Sequence, residues 1–145
     1  MTELTVRYQG DLHCELHHGP SGATFITDAP VDNQGKGEAF SPTDLVGAAL
    51  GSCIVTIMGI MARRSGWDIS GTTAKVTKEM VTAPVRRIGK LTVRIHVPHD
   101  LPVDARQKLE AGAHTCPVHK SLHPDIEAPL IFSYGASAAA AAATT

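Results

Sequence analysis

The chain has 145 residues, 43% of them hydrophobic and 19% charged, and carries a formal net charge of −1, which suits one folded domain with a core of its own. A balance of 13 basic and 14 acidic side chains excludes an overall basic field, so neither nucleic acid nor an anionic membrane is expected as a partner. Three cysteines are too few for a disulfide scaffold. Residues 1–8 lack an export signal, so the chain is expected to be soluble and cytoplasmic, where cysteines serve as core residues, metal ligands or reactive thiols.

Residues 4–8 (LTVRY) alternate apolar and polar side chains and predict a first strand. Gln9-Gly10-Asp11 marks a turn, residues 12–17 return as a second strand, and residues 23–27 form a third after the turn at His18-Gly19-Pro20-Ser21-Gly22. Residues 28–40 hold Pro30, Asp32, Asn33, Gly35 and Gly37 without any period. That is loop chemistry, and loops of this length are often functional.

Ser41-Pro42-Thr43-Asp44 is the strongest local signal: Ser41 is placed as N-cap, Pro42 at the first helical position, and Asp44 to answer the cap. The apolar run reaches Ala62, Arg63 and Arg64 suit the negative end of the helix, and Gly66 ends it. Apolar nearly all round, this helix should be buried in the protein or in a subunit interface, and its polar interruptions fit a core helix better than a membrane span. Gly47, Ala48, Ala49, Gly51 and Ser52 leave it thin, so another element can approach closely there.

Residues 69–79 and 88–97 predict paired strands joined through Pro84, residues 102–113 a second helix, residues 117–122 a short third helix, and residues 126–134 a last strand. The fold class is α+β, a mainly antiparallel sheet around a long apolar helix, forming a single domain over residues 1–135. Residues 136–145 are a low-complexity, Ala-rich tail expected to be disordered.

Two cysteines have chemical potential. Cys53 lies inside the apolar helix, where a cysteine packs readily as a small hydrophobe and where the helix dipole has faded. Acting as a nucleophile there requires another source of pKa depression. Cys116 precedes Pro117 and can cap a short helix, whose backbone N–H groups stabilise a thiolate; a buried turn cysteine is the plain alternative. Cys14 is assigned no catalytic role. His114, Cys116, His119 and His123 form one cluster along the chain, and His13, Cys14, His17 and His18 another. Sulfur with imidazole suits zinc, yet no C-x-x-C or H-E-x-x-H motif is present, and no metal or other cofactor is assigned.

Residues 41–53 (SPTDLVGAALGSC) and 111–118 (AGAHTCPV) resemble the two cysteine motifs of the OsmC/Ohr family, and the order of elements matches that family over nearly the whole chain. The resemblance implies an OsmC-like α+β fold, an intertwined homodimer with two active sites at the subunit interface, and reduction of organic hydroperoxides. It assigns Cys53 as the thiolate that attacks the peroxide, Cys116 as the thiol that closes a disulfide, and a dithiol of lipoyl type as reductant. The family's activating Arg and Glu are not matched. Asp44 stands where the acid is expected, and Lys36, Arg86 or Arg87 can supply the cation. Phe40, Ile54, Ile57 and Met58 are expected to form an apolar substrate pocket. The stretches Thr27-Asp28-Ala29-Pro30 and residues 78–88 are closer to an OsmC-like branch in which peroxidase activity is inferred from the cysteine pair. The competing expectation is an OsmC-like protein that binds a metal or a thiophilic ligand through Cys and His without turnover.

Overall fold

Alternating side chains in the first thirty residues build an antiparallel meander. In the computed structural model, which describes residues 1–136, β1 (Leu4–Gly10), β2 (His13–His18) and β3 (Thr24–Asp28) pair in that order. Tyr8 lies opposite Cys14 in the first pair, and His13 lies opposite Asp28 in the second. The first hairpin turns on Asp11 and Leu12, both left-handed with φ of 51° and 61°. Two such residues give the turn whose twist matches the flanking strands. Aspartate tolerates this region, whereas leucine is strained in it.

Residues 29–40 are irregular as predicted, but they are firmly held. Val31–Asn33 makes one 3-10 turn. The Asp28 N–H donates to the Phe40 carbonyl at 3.1 Å and closes the loop at its ends. Inside it, Asp28 Oδ2 accepts the backbone N–H groups of Lys36 (3.2 Å) and Glu38 (3.0 Å). The loop is therefore wrapped around one buried carboxylate, which no sequence period reveals.

α1 (Pro42–Ser65) starts where the cap signal places it. Ser41 Oγ accepts the Asp44 N–H at 3.1 Å, and Asp44 Oδ2 accepts the Ser41 N–H at 2.9 Å. This is a capping box with aspartate in the acid position. Arg63 and Arg64 occupy the last turn, and Gly66, at φ 72°, ends the helix in the left-handed conformation that glycine permits.

The chain divides into two compact units, Met1–Val46 and Gly47–Thr145. The second contains β4 (Thr73–Val81), β5 (Arg87–Val97) and β6 (Leu130–Tyr134) in the order β4-β5-β6. β4 runs antiparallel to β5, while β6 runs parallel to it. A parallel neighbour needs a long crossover, which α2 (Val103–Ala113) and α3 (Pro117–Ser121) supply. The architecture is thus α+β with two small sheets and a long helix. The Ala-rich tail falls, after Ala136, outside the described residues.

Two strand starts differ from expectation by four residues. β4 begins at Thr73, not Ile69, because Asp68 Oδ1 accepts the N–H and hydroxyl of Ser70 (2.9 and 2.7 Å) and Gly71 turns at φ 80°. β6 begins at Leu130, although pairing already starts upstream. Glu127 donates its N–H to the Gly89 carbonyl and accepts the Leu91 N–H, before Pro129 interrupts the ladder.

Leu50, Ile54, Met58 and Ala62, spaced by four, are at most 2% exposed. They share the core with Leu91, Val93, Ile95 and Val97 of β5 and with Ala105, Leu109 and Ala113 of α2. The thin stretch of α1 is used as predicted. A Cβ added at Gly51 would stand 2.9 Å from Val76 Cγ2 on β4, and one at Gly112 of α2 would overlap Met61 Sδ. The opposite side of α1 stays open: Ala48, Ala49, Ser52, Thr56 and Ile60 are exposed. By length and mean hydropathy α1 also meets the requirement for a membrane span, but its glycine face is packed on a strand.

Candidate functional site

α1 presents Cys53 half-buried, one residue before the core position Ile54. Cys116 is fully buried in the turn between α2 and α3. It is the N-cap of α3, and its Sγ accepts the His119 N–H at 3.4 Å, as its position before Pro117 predicts. The fold brings the two cysteines together: both are free thiols, and Cys53 stands near enough to act on the ionisation of Cys116.

The electrostatics of Cys116 differ from expectation. Burial is the largest influence and holds its pKa above the ordinary 9.0; the neighbouring Cys53 side chain pushes the same way. The N–H groups of His119 and Val118 act in the opposite sense and are outweighed. Cys116 is thus a protonated thiol at neutral pH, and the half-exposed member of the pair is Cys53. In an alkylation time course near neutral pH, Cys53 should be modified before Cys116. Labelling of Cys116 should rise only at a more alkaline pH than an ordinary thiol requires, because the folded protein holds its proton more tightly. Peptide mass mapping across a pH series reads both; Cys116 labelled first would overturn this order.

The other predicted site residues are placed as follows. The Asp44 carboxylate is engaged in the cap of α1. Phe40 is 55% exposed at the end of the first unit's loop. Ile57 is half-buried on α1, but Ile54 and Met58, expected beside it in a substrate pocket, are wholly buried in the core. They pack instead of lining an opening, because they fall on the same face as Gly51. Arg86 is exposed in the β4–β5 connection. Arg87 Nη1 donates to the carbonyls of Ile88 (3.0 Å) and Asp125 (3.5 Å), tying β5 to the segment before β6. Lys36 Nζ is paired with Asp11 Oδ2 at 2.7 Å.

Neither histidine cluster assembles a metal-ligand set among the described residues. In β2 successive side chains alternate between faces, which separates His13 and His17 from Cys14 and His18. In the second unit, His114 and His119 stand edge to face with centroids 6.3 Å apart. Together with His123, Lys90, Glu127 and Leu130 they line an open cavity of about 620 Å³, to which neither cysteine contributes.

The model of a family described as OsmC-like protein matches residues 35–129. Among solved structures, the fold is shared with a Psychrobacter arcticus protein provisionally named as an osmotic stress induced and detoxification response protein. The two are 50% identical, with a TM-score of 0.87 over 92% of this chain and 96% of the other. The organic hydroperoxide resistance protein OsmC of Legionella pneumophila is 16% identical, with a TM-score of 0.71 over 92% and 96%. The organic hydroperoxide resistance protein OhrB of Bacillus subtilis is 18% identical, with a TM-score of 0.67 over 92% and 98%. A comparison with curated proteins gave no match.

Proposed function

Since the chain belongs to the OsmC-like protein family, we propose that it is a thiol-dependent peroxidase that reduces organic hydroperoxides through Cys53 and Cys116. The observation that carries this reading is the proximity of a half-buried thiol on α1 to a buried, protonated thiol at the cap of α3.

The Cys53 thiolate attacks the O–O bond of ROOH. With one proton taken up, the products are ROH and Cys53 sulfenic acid. The Cys116 thiol then attacks the sulfenic sulfur, forming the Cys53–Cys116 disulfide and releasing water. An external dithiol, of lipoyl type, reduces the disulfide by thiol exchange and is itself oxidised. Burial suits Cys116 to the second step: its proton is retained until a sulfenic acid stands beside it, and it does not compete for the peroxide. No cofactor is required.

Asp44 and the cations Arg86 and Arg87 are the proposed orienting groups for thiolate and peroxide, and Phe40 and Ile57 the apolar contacts for the alkyl group. The protein is proposed to act in the cytoplasm as a homodimer. The exposed stripe Ala49, Ser52, Thr56 and Ile60 on an otherwise apolar helix supports a second copy covering α1.

Intact mass measured before and after one equivalent of an alkyl hydroperoxide tests the proposal. The reduced protein should lose two thiols and form one intrachain disulfide between residues 53 and 116. Retention of all three thiols would leave the fold serving a binding role. The same reaction run on Asp44→Asn, Arg86→Ala and Arg87→Ala assigns the orienting groups, since only a residue of the site slows peroxide loss while the fold is kept.

A further inference from the structure

The first unit contains a cluster that the thiol chemistry does not use. His13 opens β2 and lies directly opposite Asp28, the last residue of β3. Glu38 comes back over the pair from the loop. His13 Nε2 stands 3.2 Å from Glu38 Oε2 and 3.6 Å from Asp28 Oδ1, and one ligand atom from each of the three residues lies within 4.8 Å of the others.

Three features show how these groups are presented. His13 Nδ1 lies 2.6 Å from the Asp11 carbonyl, which can only accept, so Nδ1 carries a proton and Nε2 is the ring atom turned to the carboxylates. Asp28 is 1% exposed and spends Oδ2 on two backbone N–H groups, while Oδ1 is buried with no hydrogen-bond partner. A buried carboxylate oxygen that faces His13 Nε2 only at 3.6 Å, beyond hydrogen-bond distance, is costly and leaves room for a closer counterpart. The Glu38 side chain is 59% exposed and leaves the cluster open to solvent on one side.

Charge points the same way. Asp11, Asp28 and Glu38 are set against a single ammonium, Lys36, which is paired with Asp11 at 2.7 Å. A cation that replaces a proton on His13 Nε2 meets two negative charges in excess, the charge of one divalent cation. Zinc held tetrahedrally by nitrogen and oxygen at about 2.0–2.2 Å spaces its ligand atoms roughly 3.3–3.5 Å apart, close to the two separations from His13 Nε2.

We propose that His13, Asp28 and Glu38 bind a first-row divalent transition-metal cation of the zinc class. One imidazole excludes a calcium-type all-oxygen site, and the absence of sulfur from the set disfavours soft monovalent copper. Three protein ligands leave a coordination position for water. The cation joins β2, the end of β3 and the 29–40 loop, adding a link through Glu38 to a loop otherwise held by backbone hydrogen bonds and the Asp28 carboxylate. This site stands independently of the peroxidase reading.

The test uses the full chain, reduced and stripped of metal with a chelator, then titrated with Zn2+ against a chromophoric competitor. One zinc per chain should bind, and should still bind in the Cys53→Ser/Cys116→Ser double variant. Affinity should fall in His13→Gln and in Glu38→Gln by more than the roughly 10–100-fold that loss of an outer-shell contact costs. Glu38→Gln changes a mostly exposed side chain, so it remains informative if His13→Gln fails to fold. Cobalt in place of zinc should give visible ligand-field bands without a thiolate-to-metal charge-transfer band. No stoichiometric binding, binding that Glu38→Gln leaves unchanged, or a thiolate band would each overturn the proposal; the first would leave His13 as an imidazolium paired with two carboxylates.

Discussion

Cys53→Ser should abolish peroxide consumption, lowering kcat/KM by on the order of a thousandfold or more, as removal of a covalent nucleophile does elsewhere. A serine hydroxyl is not ionised at neutral pH and is a far weaker nucleophile than a thiolate. Cys116 cannot take over the first step, because it is buried and its proton is held more tightly than in an ordinary thiol. The substitution removes little packing, since Cys53 is only half-buried and serine is nearly isosteric. Melting temperature and far-UV circular dichroism should therefore match wild type while the peroxide assay, run with excess dithiol, reads background. A rate near wild type would remove Cys53 from the chemistry. Cys14→Ser is the matched control: Cys14 sits in β2 opposite Tyr8 and Thr27 and should leave the rate unchanged.

What the sequence reveals here is mostly local. Ser41 and Asp44 are three residues apart and bond each other, so their pattern is legible in four letters. Cys116 before Pro117 reads as an N-cap for the same reason. The glycines of α1 also read correctly, because a run of small side chains on a helix has little use other than close approach, and Val76 makes it.

Legibility ends where partners are distant in the chain. Strand alternation carries no direction, so the parallel pairing of β6 with β5 depends on how α2 and α3 return the chain. A helix apolar on every side hides which face is buried; Ile54 and Met58 were therefore expected at a substrate pocket and lie in the core. The histidines mislead in a different way. His13 and Cys14 are adjacent in sequence and point to opposite faces of a strand, whereas His13 finds Asp28 and Glu38 through strand register and the return of a loop. Asp28 itself gives no signal, since the N–H groups that bury it belong to Lys36 and Glu38, eight and ten residues later. The contact between Cys53 and Cys116 likewise spans two helices and a sheet. Resemblance to a family pairs their roles, and only the fold brings the two residues near each other.

Cys116→Ser should separate the two roles that position 116 combines. Serine is among the best N-cap residues, so the bond from the His119 N–H and the start of α3 should survive, and the fold with them. The first half-reaction should survive too: one equivalent of alkyl hydroperoxide is reduced, and Cys53 stops as a sulfenic acid, a mass gain of about 16 Da. With no thiol beside it, that species meets further peroxide before any reductant, and the mass gain should climb to about 32 Da as the irreversible sulfinic acid forms. Steady turnover with a dithiol should drop to a small fraction of the wild-type rate and decay with each addition of peroxide, whereas the wild-type protein should hold its rate. If Cys116→Ser turns over steadily and resists over-oxidation, then the external reductant reaches the sulfenic acid directly, and the burial of Cys116 beside Cys53 is packing and capping alone. A protein that fails at the second step but not the first can do so only if the two sulfurs are chemically coupled, so mass measured over successive peroxide additions decides between a shared cycle and mere proximity.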